Sequence, residues 1–329
     1  MVTMKLIESV INISEGQDLH KIERIKSFFI SQHGITLLDV YSGASTNRSV
    51  FTIVGEPIAM ERAIFELFEL ISEIIDMRLH HGSHPRIGAI DVCPLIPLFE
   101  INKAECQKIA LSLATHISNE LGIPIYLYAD SAQNEERKKL SFIRQGGYES
   151  LKERPSHGQL LKPDFGELTG ELKSGASIIG VRDILVAYNI TLDTEDLTIA
   201  KKIASLIRES NIDSQDRLSG CQALGWFIPE YRKVQISCNL INVDLITVYQ
   251  KVQLLAEFFH TKVLGSELIG LLPMRSLFKD RQVSKDLKWL EIEKKAIENA
   301  ERINLSLHKK FNARRQILEA AALTTHKLI

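Results

Sequence analysis

An α+β fold that uses one topology twice is predicted by three features of the sequence. Short apolar, β-branched runs alternate with amphipathic helical stretches. Their order over residues 5–93 is β-α-β-β-α-β, and the same order returns over residues 183–272. Residues 280–329 are helix-forming throughout, rich in Lys, Glu and Ala, with no Gly or Pro. A β-α-β-β-α-β run closes into a four-stranded antiparallel sheet with its helices on one face, the ferredoxin-like topology. The expected organisation is one ferredoxin-like subdomain over residues 1–180, a second over 181–279, and a helical extension over 280–329. No residue-level repeat accompanies it, so the repetition is architectural.

The elements follow in order. Lys5–Ile13 reads as a strand, turned by Ser14-Glu15-Gly16. Asp18 is placed to cap a helix to about Ser31, with Ile22, Ile25 and Phe28/Phe29 inward. Ile35–Val40 and Ser49–Val54 are strands around a polar turn. Pro57 opens a long helix whose buried stripe is Ile64, Phe68, Ile71 and Ile74/Ile75. Gly82 and Pro85 end it, and Ala89–Cys93 begins the fourth strand. A helix over Ile101–Leu121 and a short strand over Pro124–Tyr128 follow. From Ala129 to about Gly166 the chain is polar and charged, the best region for a loop around a ligand. In the second half, strands are expected at Asp183–Leu192, Ala223–Phe227, Val234–Leu240 and Glu267–Leu272, with helices at Thr194–Arg208 and Val243–His260. Beyond residue 280, Leu287, Leu290 and Ile297 suggest one apolar face.

Composition excludes several function classes. Lys+Arg (40) and Asp+Glu (41) cancel, so no global field favours nucleic acid or an anionic membrane. An anionic ligand must be met by a local site. No apolar run approaches the roughly 20 residues that span a bilayer, and the N-terminus has no signal-peptide pattern. The four cysteines are far apart, without a C-x-x-C pair. They read as reduced thiols, and a cytoplasmic protein is expected.

The chemistry-bearing residues concentrate between Asp76 and Pro97. His80 and His84 have the H-x-x-x-H spacing of helical metal ligands, but Gly82 and Pro85 break the helix there, so no metal is expected. His80 and His81 read as surface histidines. Pro85 pushes His84 away from helical dihedrals, and an imidazole exchanges protons near neutral pH. A catalytic and a structural role are both open for His84 on this basis. Arg86, two residues on in an extended segment, projects to the same side and suits a carboxylate. Asp91 could orient the histidine or pair with Arg86. Ser45-Thr46-Asn47-Arg48, with Asn12 at the end of the first strand, reads either as polar ligand contacts or as an ordinary turn. Gly166–Gly175 holds three glycines that would let backbone approach a flat ligand, or simply act as a linker.

These segments resemble the glutamate formimidoyltransferase family, which also forms the N-terminal half of a bifunctional formimidoyltransferase–cyclodeaminase. The likeness is carried by Glu8–Gly16, Leu37–Arg48, Val54–Pro57, Ile75–Pro97, Pro124–Tyr128, Pro163–Gly166, Leu224–Trp226 and Gly265–Pro273. The most specific block is His84-Pro85-Arg86-Ile87-Gly88-Ala89 with Asp91 and Pro94. The resemblance implies transfer of a formimino group from N-formimino-L-glutamate to N5 of tetrahydrofolate, releasing glutamate. It implies a homodimer and a tetrahydrofolate tunnel or groove between two ferredoxin-like subdomains. It implies His84 as the acid–base catalyst, and the candidate substrate contacts are Arg86, Asn47, Arg48, Asn12, Tyr41 and Asp91. The loop Gly166, Glu167, Leu168, Thr169, Gly170, Glu171, Leu172, Lys173, Ser174 and Gly175 would line the folate. Tyr41 stands where the family pattern usually has an acidic residue, and Ser83 where it has a glutamate. The alternatives are formyl transfer between 5-formyltetrahydrofolate and glutamate, or a folate-binding paralogue without catalysis.

Overall fold

The computed structural model describes residues 5–44, 46–154, 161–278, 289–307, 310–318 and 320–321. The chain divides into two compact units, Met1–Asp183 and Ile184–Ile329.

In the first unit the elements are β1 (Leu6–Ile13), α1 (Leu19–Ser31), β2 (Ile35–Gly43), β3 (Arg48–Gly55), α2 (Pro57–Ile74), β4 (Ile90–Phe99), α3 (Lys103–Leu121), β5 (Ile125–Ala129), α4 (Leu140–Ile143) and β6 (Ser177–Val181). The helix starts follow local chemistry. Asp18 accepts from the N–H groups of His20 and Lys21. Pro57 opens α2. Asn102 and Glu105 form a reciprocal capping box at α3, which Gly122 ends in the left-handed region. The sheet order is β2-β3-β1-β4-β6-β5. The first four strands pair antiparallel, and β6 runs parallel to both β4 and β5. Ile7, Ile11 and Ile13 of β1 point into the helix-side core with Ile22, Ile25 and Phe29 of α1 and Ile64, Phe68 and Ile71 of α2. By strand alternation, Glu8, Val10 and Asn12 project from the other face. The sheet therefore has two strands beyond the expected four. β6 went unread because SIIGV is a five-residue run directly behind a glycine-rich loop.

In the second unit, β7 (Val186–Leu192), α5 (Leu197–Ile207), β8 (Cys221–Ile228), β9 (Lys233–Leu240), α6 (Leu245–Phe258) and β10 (Val263–Ile269) precede α7 (Trp289–Arg302) and α8 (Ala313–Gln316). The sheet order is β10-β7-β9-β8, antiparallel throughout. A Cβ on Gly225 would lie 2.5 Å from the backbone of Ala200 and Lys201, so α5 seats directly on β8.

The described residues after 280 pack into the second unit and are not a separate extension. Ile292, Ala296, Ala300 and Ile303 are buried in the core of the second unit, together with Leu305, Phe311, Ala313 and Ile317. Leu272 exchanges backbone hydrogen bonds with Gln316 and Leu318. The expected apolar face is out of phase, since Leu290 is 72% and Ile297 40% exposed. Leu287 lies outside the described residues. The buried stripe uses alanines, whose weak hydrophobic signal hides it from a search for large residues. Ala296→Glu should thus destabilise the protein by about 3 kcal/mol or more, by burying a charge without a partner. Leu290→Ala should stay within about 0.5 kcal/mol. Denaturant unfolding measures both, and the reverse order would restore the face read from the sequence.

Candidate active site

The site is built on an irregularity in β4. Asn12 of β1 pairs with Val92, but the next residue, Ile13, pairs with Ile90. Asp91 is thus the extra residue of a β-bulge, a device that re-aims a side chain. Its carboxylate is 1% exposed. Oδ1 accepts the N–H of Ile87 at 2.9 Å. Oδ2 accepts both Arg48 Nη1 at 3.0 Å and Arg144 Nη2 at 2.5 Å. Arg48 opens β3, and its Nη2 also donates to Asn12 Oδ1. Asn12 is held in turn by donating to Val10 O. Asn12 and Arg48 are thus brought together as the sequence suggested, and Asp91 pairs with Arg48 and Arg144, not with Arg86.

His84 adjoins this cluster. Its Nδ1 lies 2.9 Å from Arg48 Nη1 and 2.8 Å from the carbonyl oxygen of Pro85. The two contacts call for different neutral tautomers. With the proton on Nδ1, the ring donates to Pro85 O and leaves the Nε2 lone pair free as a base. Burial, followed by the Arg48 charge, lowers the imidazole pKa to about 4, against the opposing pull of Pro85 O and Asp91. His84 is therefore neutral at pH 7. Burial also brings Arg48 down to about 10, which leaves it charged.

A second network braces the segment before His84. Arg86 is 8% exposed. Its guanidinium grips Glu149 through two hydrogen bonds of 2.9 and 2.7 Å, and donates to His80 Nδ1 and to His80 O. His80 Nδ1 accepts there, so Nε2 carries the proton and donates to Asn47 O at 2.9 Å. Asn47 accepts from Gly16 N–H and donates to His81 O. Three expectations change here. Arg86 is not an anion clamp beside His84, because its donors are engaged by Glu149 and His80. His80 is buried, not a surface histidine. Asn47 ties three backbone segments and is not a free ligand contact. The rings of His80 and His84 have separate partners.

The loop 166–175 packs closely on the segment that carries His84. Ala89 N–H donates to Ser174 O, Ala176 N–H to Ile87 O, and Met77 N–H to Lys173 O. Gly88 and Gly175 form a bridge. A Cβ on Gly88 would fall 2.1 Å from Ala176 O, and one on Gly175 2.3 Å from Ile87 O, at a φ of +70°. These glycines permit backbone to approach backbone, where the sequence suggested a ligand. Leu168 and Leu172 point into a small core, and Glu171 pairs with Arg78. Glu167, Thr169 and Gly170 remain on the exposed edge.

Tyr41 is 49% exposed and pairs across the sheet with Val50. The group that meets the His84 ring is Arg48. Ser45 lies outside the described residues. Two residues central to the geometry, Arg144 and Glu149, were not singled out. Both lie in the charged stretch after Ala129, and its charge was the one available signal.

Two outcomes follow from this geometry. Gly175→Ala should cost about 2 kcal/mol or more, from left-handed strain and the backbone clash, read as a loss of thermal stability. The His84 imidazole should titrate well below its ordinary value of 6.5 in the ligand-free protein, near pH 4 by NMR. Between these pH values the unfolded chain binds a proton that the native state does not. The group's contribution to stability is then present above about pH 6.5 and lost as pH falls toward 4. His84→Gln should remove that part of the acid sensitivity, and a His84 titration at 6.5 would overturn the assignment.

Comparison with known proteins places the chain among its relatives. Residues 6–182 match the model of the formiminotransferase domain, N-terminal subdomain, and residues 187–322 that of the formiminotransferase domain. The chain is 38% identical over 298 residues to glutamate formimidoyltransferase of Streptococcus pyogenes serotype M1, covering 90% of this chain and 98% of the relative. It is 40% identical to glutamate formimidoyltransferase of Thermoplasma acidophilum, covering 83% of this chain and 90% of the relative. It is 38% identical to formimidoyltransferase-cyclodeaminase of Gallus gallus, where 96% of this chain spans only 59% of the relative. Among the described residues no helix is long and apolar enough to cross a membrane. With both halves matched in order and nearly the whole streptococcal relative covered, the chain belongs to the formiminotransferase family.

Proposed function

We propose that the protein transfers the formimidoyl group of N-formimino-L-glutamate to N5 of tetrahydrofolate and releases L-glutamate, a step of histidine breakdown that feeds one-carbon metabolism. The observation that carries this reading is a neutral imidazole, His84, set against a guanidinium pair on a buried carboxylate. N5 attacks the formimidoyl carbon, and a C–N bond forms as the C=N bond opens. His84, with its Nδ1 proton on Pro85 O, takes the N5 proton at Nε2. The doubly protonated ring is disfavoured by burial and by Arg48. It therefore gives the proton readily to the glutamate nitrogen, the electron pair on the former imino nitrogen re-forms the C=N bond, and the C–N bond to the glutamate nitrogen breaks. One group serves as base and then acid, and is returned to its starting state.

Tetrahydrofolate is the co-substrate in this reading. Glu167, Thr169 and Gly170, on the exposed edge of the glycine loop, form its contact surface, since Gly170 has nothing within 4 Å of a Cβ position. The burial of all four free cysteines fits a reducing compartment, and a cytoplasmic homodimer completes the proposal by family resemblance.

Purified protein should form 5-formiminotetrahydrofolate from the two substrates, with formiminoglutamate preferred to formylglutamate as donor. His84→Gln should lower kcat by about 10²–10⁴-fold, with tetrahydrofolate affinity by calorimetry unchanged within about twofold. No turnover by folded wild-type protein would overturn the reaction. Retained activity in His84→Gln would overturn the role of the histidine.

A further inference from the structure

We infer that Arg144, together with Arg48, binds the α-carboxylate of the one-carbon donor beside His84. The inference rests on the proposed reaction and names the carboxylate subsite within it. Three observations carry it. First, one carboxylate serves two guanidinium groups. Arg48 and Arg144 both donate to Oδ2 of Asp91, whose other oxygen is taken by the backbone N–H of Ile87. The trio Asp91, Arg48 and Arg144 keeps one excess positive charge, with side chains 1%, 14% and 13% exposed. Second, Nε of Arg144 is buried and has no hydrogen-bond partner. An unmade guanidinium bond in a dehydrated place is costly, and an oxyanion that reaches it recovers the loss. Third, the excess charge is adjacent to the reacting group, since the same Nη1 of Arg48 that bonds Asp91 lies 2.9 Å from His84 Nδ1.

The chemistry of the donor selects which carboxylate binds. In N-formimino-L-glutamate the α-carboxylate is attached to the carbon that bears the departing nitrogen. It therefore lies within two bonds of an atom that His84 must protonate. The γ-carboxylate is two methylene groups farther from that carbon. Arg86 is not available for either without breaking its two hydrogen bonds to Glu149. The cluster also acts on the base. Burial is the larger cause of the low imidazole pKa and the Arg48 charge the second, and a carboxylate docked between Arg48 and Arg144 offsets the second. Binding of the donor would thus strengthen His84 as a base at the moment the base is needed.

The test pairs the enzyme variant with a matched change in ligand. N-acetyl-L-glutamate and N-acetyl-4-aminobutyrate differ only in the α-carboxylate and cannot donate a formimidoyl group. Calorimetry on the full-length protein should show Arg144→Gln weakening N-acetyl-L-glutamate by about 10–100-fold. The same variant should change N-acetyl-4-aminobutyrate by less than threefold, and Arg144→Lys should recover part of the loss. These titrations need no turnover, so they stand if the proposed reaction fails. Retained thermal stability and tetrahydrofolate affinity in Arg144→Lys guard against a folding defect. Equal weakening of both ligands, or none of either, would overturn the assignment.

Discussion

One buried carboxylate organises the site. Asp91 owes its direction to a β-bulge, where two residues of β4 face the space of one on β1. A regular strand would have alternated it elsewhere. From that position it joins three otherwise distant pieces of chain: the start of β3 through Arg48, the charged stretch after β5 through Arg144, and the segment behind His84 through the N–H of Ile87. Its charge makes it possible to bury two guanidinium groups beside an imidazole. It leaves their sum positive, and that residue of charge adds to burial in keeping His84 neutral and makes the place attractive to an anion.

The second network gives the first its geometry. Glu149, Arg86, His80 and Asn47 form an unbroken chain of hydrogen bonds that ends on the backbone of Gly16 and His81. The segment carrying His84 is thus fixed just before the ring. Behind it, Gly88 and Gly175 let two backbones meet at a distance no side chain would allow. The glycine loop and the His-Pro-Arg segment are consequently one packed unit, and a ligand at the loop edge would be coupled to the position of the histidine.

Much of the fold was legible because periodicity and caps report local structure. Asp18, Pro57 and Gly122 mark element ends by their own chemistry, and the observed boundaries follow them. Two things were not legible. The buried stripe of α7 consists partly of Ala296 and Ala300, which have little apolar signal of their own. β6 is short and pairs with strands far away in sequence. At the site, His84 stood out because glycine and proline flank it. Arg86 was misplaced because spacing alone put it beside His84, whereas Glu149, 63 residues on, draws it away. Arg144 was invisible for the same reason in reverse, since its partner Asp91 lies 53 residues earlier. Pairings of that kind are set by register, and a one-residue bulge decides them.

The central claim is that the charge of Asp91 holds the guanidinium pair in balance beside the histidine. Asp91→Asn keeps the shape and the acceptor for Ile87 N–H while removing the charge. The direct measurement is the His84 titration by NMR in this variant and in the wild-type protein. With the counter-charge gone, two uncompensated guanidinium groups should push the imidazole pKa lower than in the wild type. An unchanged or raised value would contradict the account, because His84 would then not feel the cluster that Asp91 assembles.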